Sequence, residues 1–178
     1  MPKSAYHHGD LQRVLIEAAL ELIAERGPAA VSLRDLARAA GVSHAAPAHH
    51  FGDKAGLFTA IAIQGNELLA EALAGGELRD MGVRYVRFAA EHPSHFEAMF
   101  RPDLYHRDDP GLLAARARTS EVLRAGVPGG HDQVMLAAWS LAHGFATLRR
   151  TGNFERLLGG RDAEDAFREL AGLLRVRP

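Results

Sequence analysis

Residues 32–51 read SLRDLARAAGVSHAAPAHHF, and their spacing predicts two short helices joined by a tight turn. Ser32 followed three residues later by Asp35 resembles a capping box, with aspartate in place of glutamate. Apolar residues recur behind this cap at the three- and four-residue spacing of a helix. Gly41 supplies the left-handed conformation that ends the first helix. The pattern therefore predicts a helix, a glycine turn and a second helix.

The second helix of this pair is predicted to point its first turn outward. Val42 is placed to fill the gap between the helices, and Ser43 is predicted to cap the second one. Pro47 then falls within the first turn, where a missing amide hydrogen costs little. A helix pair of this kind is typical of modules that read the major groove of DNA. The outward positions are His44, Ala45, Pro47, Ala48 and His49.

Composition limits the classes of protein to consider. The chain has 178 residues, 47% of them hydrophobic, which is enough to bury a core. It has no cysteine and no run of eighteen apolar residues, and its first ten residues lack the apolar run of a secretory signal. We therefore expect a cytoplasmic protein. The net charge is -1, and acids balance bases in residues 1–54, so bulk charge does not indicate nucleic acid.

Helical periodicity extends along the whole chain and predicts an all-α fold of about nine helices. No alternating strand pattern, repeat or low-complexity tract interrupts it. The predicted organisation is an N-terminal three-helix head with the helix-turn-helix, a long helix, and a C-terminal helical bundle. Besides the pair at 32–51, the predicted helices cover residues 11–26, 53–74, 78–91, 96–100, 112–125, 131–152 and 162–175.

The last two predicted helices have the strongest apolar character. The helix at 131–152 is apolar nearly all round, so it must be buried on two sides. Gly144 lies inside it, where glycine costs about 1 kcal/mol relative to alanine. This cost predicts a close helix crossing at Gly144. The helix at 162–175 carries a single apolar stripe that includes Phe167 and Leu174, and the two helices together suit a two-fold dimer interface.

Residues within the helix pair and directly after it complete a known pattern. Ala37, the run AAGVS at 39–43, Phe51, the pair Asp53-Lys54 and Leu57 follow one another in the order found in TetR-type heads. Over roughly residues 9–69 the chain resembles the TetR family of bacterial transcription regulators. Its C-terminal part resembles the subgroup with a Trp-His-Gly signature. That second resemblance rests on Trp139, His143 and Gly144, on YHHGD at residues 6–10, and on Ala46-Pro47.

The family resemblance implies two functional domains and a set of DNA-binding residues. It implies a DNA-binding domain at residues 1–52 and a ligand-binding and dimerisation domain at 53–178. Two recognition positions depart from the subgroup, because Ala48 stands where tyrosine is common and His49 where arginine is common. The expected DNA-binding residues are Ser32, Arg34, Ser43, His44, Ala45, Pro47, Ala48, His49 and Lys54.

The resemblance also implies a small-molecule pocket between the long helix and the fifth to eighth helices. Aromatic walls with one polar group are typical of such pockets, although ordinary core packing explains each residue as well. The expected pocket residues are Phe88, Phe96, Met99, Phe100, Trp139 and His143. The implied activity is that of a repressor that binds a palindromic operator as a homodimer and is released by an effector.

Other functions share part of this pattern or none of it. A DNA-binding activator and a ligandless regulator would use the same residues. A helical enzyme or a carrier without DNA binding is the remote alternative, because the chain has no GxSxG, Walker or HExxH motif. His92 and His95 are three residues apart but straddle a helix start and lack accompanying cysteines, so no metal site is expected. No cofactor is expected either.

Overall fold

The computed structural model describes the backbone of residues 4–173 and, except at Pro128, the side chains from Leu11 onward. Within these residues the regular structure is entirely helical, which confirms the all-α prediction. Single 3₁₀ turns at Pro28–Ala30 and Pro128–Gly130 accompany the α-helices. The α-helices are α1 (Ser4–Arg26), α2 (Leu33–Ala39), α3 (Ala46–Phe51), α4 (Lys54–Leu73), α5 (Leu78–Glu91), α6 (Pro93–Met99), α7 (Pro110–Ala125), α8 (Asp132–Arg150), α9 (Glu155–Leu158) and α10 (Ala163–Leu173).

The described residues contain ten helices where the sequence predicts about nine. The additional element is α9, whose four residues make one turn and cannot show a helical repeat. The other predicted helices agree with the structure to within a few residues, except that α1 begins at Ser4, seven residues before its predicted start. Leu174 and Arg175 of the last predicted helix lie outside the described residues, as do the side chains of the YHHGD segment.

The predicted cap and turn of the helix pair are confirmed. Ser32 is extended, with φ of -122°, and its Oγ accepts the Asp35 amide hydrogen at 3.1 Å. The Ser32 hydroxyl in turn donates to Asp35 Oδ2 at 2.5 Å. Gly41 has a φ of 66°, and the Val42 amide donates to the Ala37 carbonyl at 3.0 Å. These hydrogen bonds fix both ends of α2.

The predicted cap of α3 is wrong. The helix begins at Ala46, and Ala45 occupies the N-cap position without a side-chain cap. Ser43 only accepts the Ala46 amide through its backbone carbonyl, at 3.0 Å. Pro47 explains the shift, because a helix capped at Ser43 would need the residue 47 amide to donate to the residue 43 carbonyl. Proline lacks that hydrogen, so the helix begins later.

Packing within the chain forms two compact units. The first contains the described residues up to Gly65 together with Pro93–Ala114, and the second contains Asn66–His92 and the described residues from Ala115 onward. The boundary between the two units reflects where the residues pack against one another, and it does not mark a division of activity. The functional division at residues 52 and 53 stays a prediction.

Helix α6 is held in the first unit by buried polar contacts. The Ser94 hydroxyl donates to the Leu20 carbonyl of α1 at 2.8 Å. His95 Nε2 lies 2.9 Å from Gln64 Oε1 of α4. A Cβ at Gly65 would lie 3.2 Å from Met99 Sδ and 3.4 Å from His95 Cβ, so glycine allows α6 to lie close to α4. The position of α6 against both helices is therefore closely specified.

The second unit is built on α5, which packs against α8 and α10. A Cβ at Gly82 would lie 2.6 Å from the Phe167 ring, so the crossing of α5 and α10 needs glycine. Arg87 and Glu164 join the same two helices through a two-pronged ion pair, with nitrogen to oxygen distances of 2.7 and 2.5 Å. No helix within residues 4–173 has the length and hydropathy to cross a membrane.

One face of α8 has no partner in the described chain. Ala142, Phe145 and Ala146 are buried on the opposite side, whereas Leu136 is 61% exposed. The prediction of a close helix crossing at Gly144 is wrong for the single chain, because an added Cβ would meet nothing within 4 Å. The reason is that α5 and α10 cover only one side of α8.

Candidate functional site

The structure leaves most of the expected DNA-binding residues at the surface. Ser32 and Lys54 are partly buried, and Pro47 is buried. The prediction that Pro47 points outward is therefore wrong. Its side chain shares the inner side of α3 with His50, three residues later, which is also partly buried. The expected residues that are exposed are Arg34, Ser43, His44, Ala45, Ala48 and His49.

This exposed surface is chemically mixed and close to neutral. The second cation of α2, Arg38, forms an ion pair with Asp35. The hydrogen bond from Ser32 and the charge of Arg38 lower the pKa of the Asp35 carboxyl, which therefore stays ionised beside the surface. Ala45 and Ala48 offer methyl groups suited to the methyl of thymine, while the two histidines offer hydrogen bonds to base edges or phosphates.

Lys54 is engaged within the protein. Its ammonium donates to the Ala29 carbonyl at 2.7 Å and lies 5.7 Å from the centroid of the Phe58 ring. Ala29 belongs to the 3₁₀ turn that connects α1 to α2. The contact with Phe58 had a sequence signal, because residues four apart on a helix are neighbours. The contact with Ala29 had none, and the expected phosphate contact of Lys54 stays a prediction.

The start of α4 is a junction that the sequence did not reveal. Asp53 Oδ1 accepts the Gly56 amide hydrogen at 2.7 Å and lies 3.2 Å from His106 Nε2. The His106 amide donates to Thr59 Oγ1 at 3.0 Å, which brings the loop before α7 onto α4. The hydrogen bond from Gly56 and then that from His106 lower the pKa of Asp53. The start of α4 thus contacts both the connection at Ala29 and the loop before α7, all within the first unit.

The expected ligand-pocket residues are divided between the two units. In the first unit Phe96 and Met99 are buried, and the Phe96 and Phe100 rings lie 5.0 Å apart in an edge-to-face arrangement. In the second unit Phe88 is buried, His143 is half-buried and Trp139 is exposed. Their role as ligand contacts stays a prediction. No group of three or more candidate metal ligands occurs among the described residues.

A hydrogen-bonded chain in the second unit orders three side chains. Trp139 Nε1 donates to the Tyr85 hydroxyl oxygen at 3.4 Å, and that oxygen lies 2.9 Å from His143 Nδ1. Burial raises the pKa of Tyr85, so its proton stays in place, and burial lowers the pKa of His143. In the tautomer that carries its hydrogen on Nε2, the neutral imidazole accepts from the Tyr85 hydroxyl at Nδ1. Sequence periodicity identified Tyr85 only as part of an apolar face.

The lowered pKa of His143 predicts that the protein loses stability in mild acid. In the unfolded chain this histidine binds a proton near its ordinary pKa of about 6.5, whereas the folded chain binds it only at lower pH. The stabilising contribution is complete above about pH 6.5 and is lost as the pH falls through the folded pKa. The thermal midpoint at pH 5.5 relative to pH 7.5 measures this loss.

His143→Gln is the matched control, because a glutamine oxygen still accepts from Tyr85 but does not titrate. The wild type is expected to lose more of its thermal midpoint between pH 7.5 and 5.5 than this variant loses. Equal losses in the two proteins would show that His143 does not contribute to the acid sensitivity.

Two family models match most of this architecture. One, described as bacterial regulatory proteins of the tetR family, matches residues 15–61 and so includes the helix pair. The other, described as a Tetracyclin repressor-like C-terminal domain, matches residues 78–174, which is more than half of the chain. The two matches lie on either side of the second half of α4.

Individual relatives agree with these matches. The HTH-type transcriptional regulator BetI of Rhizobium meliloti (strain 1021) is 36% identical over 90 residues, which is 51% of this chain and 40% of BetI. The matched region therefore spans less than half of that relative. A solved structure of a protein of unknown function from Rhodococcus sp. RHA1 is 29% identical, with a TM-score of 0.76 and 96% of each chain covered. PfmR of Thermus thermophilus, a TetR family transcriptional regulator, is 30% identical with a TM-score of 0.59, and the match covers 90% of this chain and 96% of PfmR.

Proposed function

Because the chain belongs to the TetR family of bacterial transcription regulators, we propose that it is a repressor that binds a palindromic operator as a homodimer and is released by a small molecule. The observation that carries this proposal is the exposed surface of the helix pair. Ser32 and Gly41 hold α2 and the turn in place, while His44, Ala48 and His49 stay exposed. A recognition helix in a major groove needs this combination of a fixed frame and exposed outer side chains.

The proposed DNA contacts divide by chemistry. Arg34 and the Ser43 hydroxyl are proposed to hold phosphates, and Ala45 and Ala48 to meet base edges. Ser32 would have to give up its hydrogen bond to Asp35 Oδ2 to join the phosphate contacts. His44 and His49 are able to serve either role. A near-neutral head depends less on counterion release than a basic head does, so base contacts carry more of its affinity.

The proposed dimer interface is the unpartnered face of α8 together with α10. Between Asp132 and Arg149 every exposed residue of α8 is uncharged, and exposed apolar patches of this kind mark interaction sites. Leu173 of α10 is exposed as well. Gly144 would let a second copy approach closely, since nothing in its own chain fills that space. The exposed side chains on this face of α8 are Gln133, Leu136, Ala137, Ser140 and Leu148.

Selection from random duplexes tests the DNA-binding proposal. The expected product is a palindrome whose half-sites are separated by about one helical turn or slightly more, because two recognition helices enter successive major grooves. Affinity for the selected duplex should exceed affinity for a scrambled duplex of equal length at fixed salt. Equal affinity for both duplexes would refute sequence-specific regulation.

The effector proposal is tested separately, with a thermal-shift screen followed by an operator titration. Within the second unit, the hydrogen-bonded chain from Trp139 through Tyr85 to His143 supports these residues as ligand contacts that offer an ordered polar group. A true effector weakens operator binding, and by linkage the operator weakens effector binding by the same factor. A ligand that binds without changing operator affinity would refute release by that ligand. The assignment to the Trp-His-Gly subgroup stays a prediction.

A further inference from the structure

The loop between α6 and α7, residues 100–109, is fixed by contacts of its own. Tyr105 is buried, and its hydroxyl donates to the Met99 carbonyl at 3.1 Å. Arg107 Nε donates to the Pro102 carbonyl at 2.9 Å, which closes the middle of the loop on itself. Because the loop has a defined shape, a contact with a neighbouring helix at one point constrains the rest of it.

Thr59 of α4 supplies such a contact. The residue is 5% exposed, and its Oγ1 accepts the His106 amide hydrogen at 3.0 Å. The same hydroxyl donates its own hydrogen to the Ala55 carbonyl, one turn earlier on α4, at 2.7 Å. A threonine hydroxyl has one hydrogen to donate and lone pairs to accept, so both bonds form together. Thr59 therefore joins the backbone of the loop to the backbone of α4.

The contact at Thr59 places His106 beside the start of α4. His106 Nε2 lies 3.2 Å from Asp53 Oδ1, the oxygen that also accepts the Gly56 amide hydrogen at 2.7 Å. Both side chains of the pair are more than half exposed, so the pair alone contributes little free energy. Its geometry depends on the backbone of His106, which the buried Thr59 hydroxyl holds.

The start of α4 is in turn joined closely to the recognition helix α3. The Asp53 amide donates to the carbonyl of Phe51, the last residue of α3, at 2.9 Å. An added Cβ at Gly56 would overlap the same oxygen, so the first turn of α4 lies directly against the end of α3. A displacement of that turn therefore displaces α3 as well.

We propose that Thr59 is a positioning residue for operator binding, whose hydroxyl fixes the loop of residues 100–109 on α4 and so supports the start of α4 and the recognition helix. The effect on operator affinity rests on the proposed function, whereas the loop contact belongs to the DNA-free protein. Because Thr59 is buried, it acts through α3 and does not touch DNA. Loss of its hydroxyl removes no phosphate contact, so the salt dependence of binding stays the same.

Thr59→Val removes the hydroxyl but keeps the branched shape of the side chain, so it tests this role. In the DNA-free protein, hydrogen exchange at the His106 amide is expected to accelerate about fivefold, the effect of losing one hydrogen bond. Exchange at the Gly56 amide should accelerate as well, because the start of α4 loses its support. Affinity for the selected duplex should fall about fivefold with an unchanged salt slope. Thr59→Ser keeps the hydroxyl and should keep wild-type exchange and affinity.

Thr119→Val is the matched control. Thr119 is a second buried threonine, 6% exposed, and its hydroxyl lies 3.1 Å from the carbonyl four residues earlier, that of Ala115. It lies on α7, outside the loop. Its substitution should lower the melting temperature but leave operator affinity and exchange at His106 and Gly56 at wild-type values, which separates a general loss of stability from loss of the loop contact.

Wild-type exchange at the His106 amide of Thr59→Val would overturn the proposal, and so would faster exchange there with wild-type exchange at Gly56. A salt slope lowered by about 0.9 would indicate a lost phosphate contact and would also refute it. If the wild type selects no duplex, the proposed function fails, while the two exchange rates still decide whether Thr59 positions the start of α4.

His106→Ala decides the case in which Thr59→Val does not fold. The His106 side chain is more than half exposed, so its loss leaves the fold and the amide contact with Thr59 in place. Exchange at the Gly56 amide is expected to accelerate about twofold and operator affinity to fall by a similar factor, because only the weak pair with Asp53 is lost. Wild-type values of both would show that the loop does not support the start of α4.

Discussion

Replacing Gly56 with alanine is expected to lower the melting temperature by about 4–8 °C and to abolish operator binding. Gly56 lies in the first turn of α4, directly after the recognition helix. An ideal Cβ at this position would be 1.9 Å from the Phe51 carbonyl oxygen and 3.0 Å from the Phe51 carbonyl carbon. Both atoms are backbone, so no side-chain rotation relieves the overlap.

Two opposing effects decide whether Gly56→Ala stabilises or destabilises the protein. Alanine in place of glycine inside a helix stabilises it by about 1 kcal/mol. Forcing an additional carbon against fixed backbone costs about 3 kcal/mol or more, because α3 and the start of α4 must separate. That separation also breaks the hydrogen bond from the Gly56 amide to Asp53 and moves the recognition helix. The net effect is therefore destabilising, and it falls on the part of the chain that reads DNA.

Gly172→Ala is the matched control for this substitution. Gly172 also lies in a helix, but the nearest heavy atom to its added Cβ is Arg79 Nη2 at 3.9 Å, which is ordinary contact. Its melting temperature should therefore stay the same or rise slightly. Thermal denaturation of the two variants and titration of the selected duplex measure the difference. Equal melting temperatures would show that the α3–α4 junction tolerates the added carbon.

Leu136→Glu is expected to convert the protein to a monomer and to lower operator affinity about 100-fold or more. Leu136 is 61% exposed on the unpartnered face of α8, so glutamate there costs the isolated chain little. In the proposed dimer the same carboxylate would be buried without a partner, which is strongly unfavourable. A monomer binds one half-site at a time and loses the high effective concentration that a dimer has for its second half-site.

Sedimentation velocity and duplex titration check this result, and circular dichroism confirms that the variant stays helical. Leu113→Glu is the matched control, because Leu113 is a leucine of similar exposure, 51%, on α7 rather than on α8. It should remain dimeric with wild-type affinity. If Leu136→Glu stays dimeric and binds the operator normally, the interface does not include this face of α8.

The sequence predicted the helices well because each has a local cause. Ser32 caps α2, Gly41 turns the chain and Gly75 ends α4, and each of these residues acts on its immediate neighbours. The error at Ser43 was also local, since Pro47 cannot donate to the fourth preceding carbonyl and this outweighs the preference of serine for caps. Helix α9 was not predicted, because its four residues are too few to show a helical repeat.

The placement of side chains around the site was less predictable. Exposure of Ala48 and His49 follows from helical register, and the structure agrees, while His44 is exposed in the turn before α3. Burial of Pro47 and the contact of Lys54 with Ala29 depend on residues that are distant in sequence, or on the packing of α3. Tyr85 lies 58 residues from His143, so no local pattern predicts their hydrogen bond.

Local chemistry alone thus sufficed to predict the helix pair at residues 32–51 and its order among the other helices, because caps, turns and helical spacing are properties of neighbouring residues. The TetR family was identified from the resemblance of residues 9–69 to a known pattern. Packing determined which glycine must stay glycine, which face of α8 is left uncovered and where the Lys54 ammonium lies. These depend on which distant atoms come within a few ångströms, and distances of that kind exist only once the helices have packed.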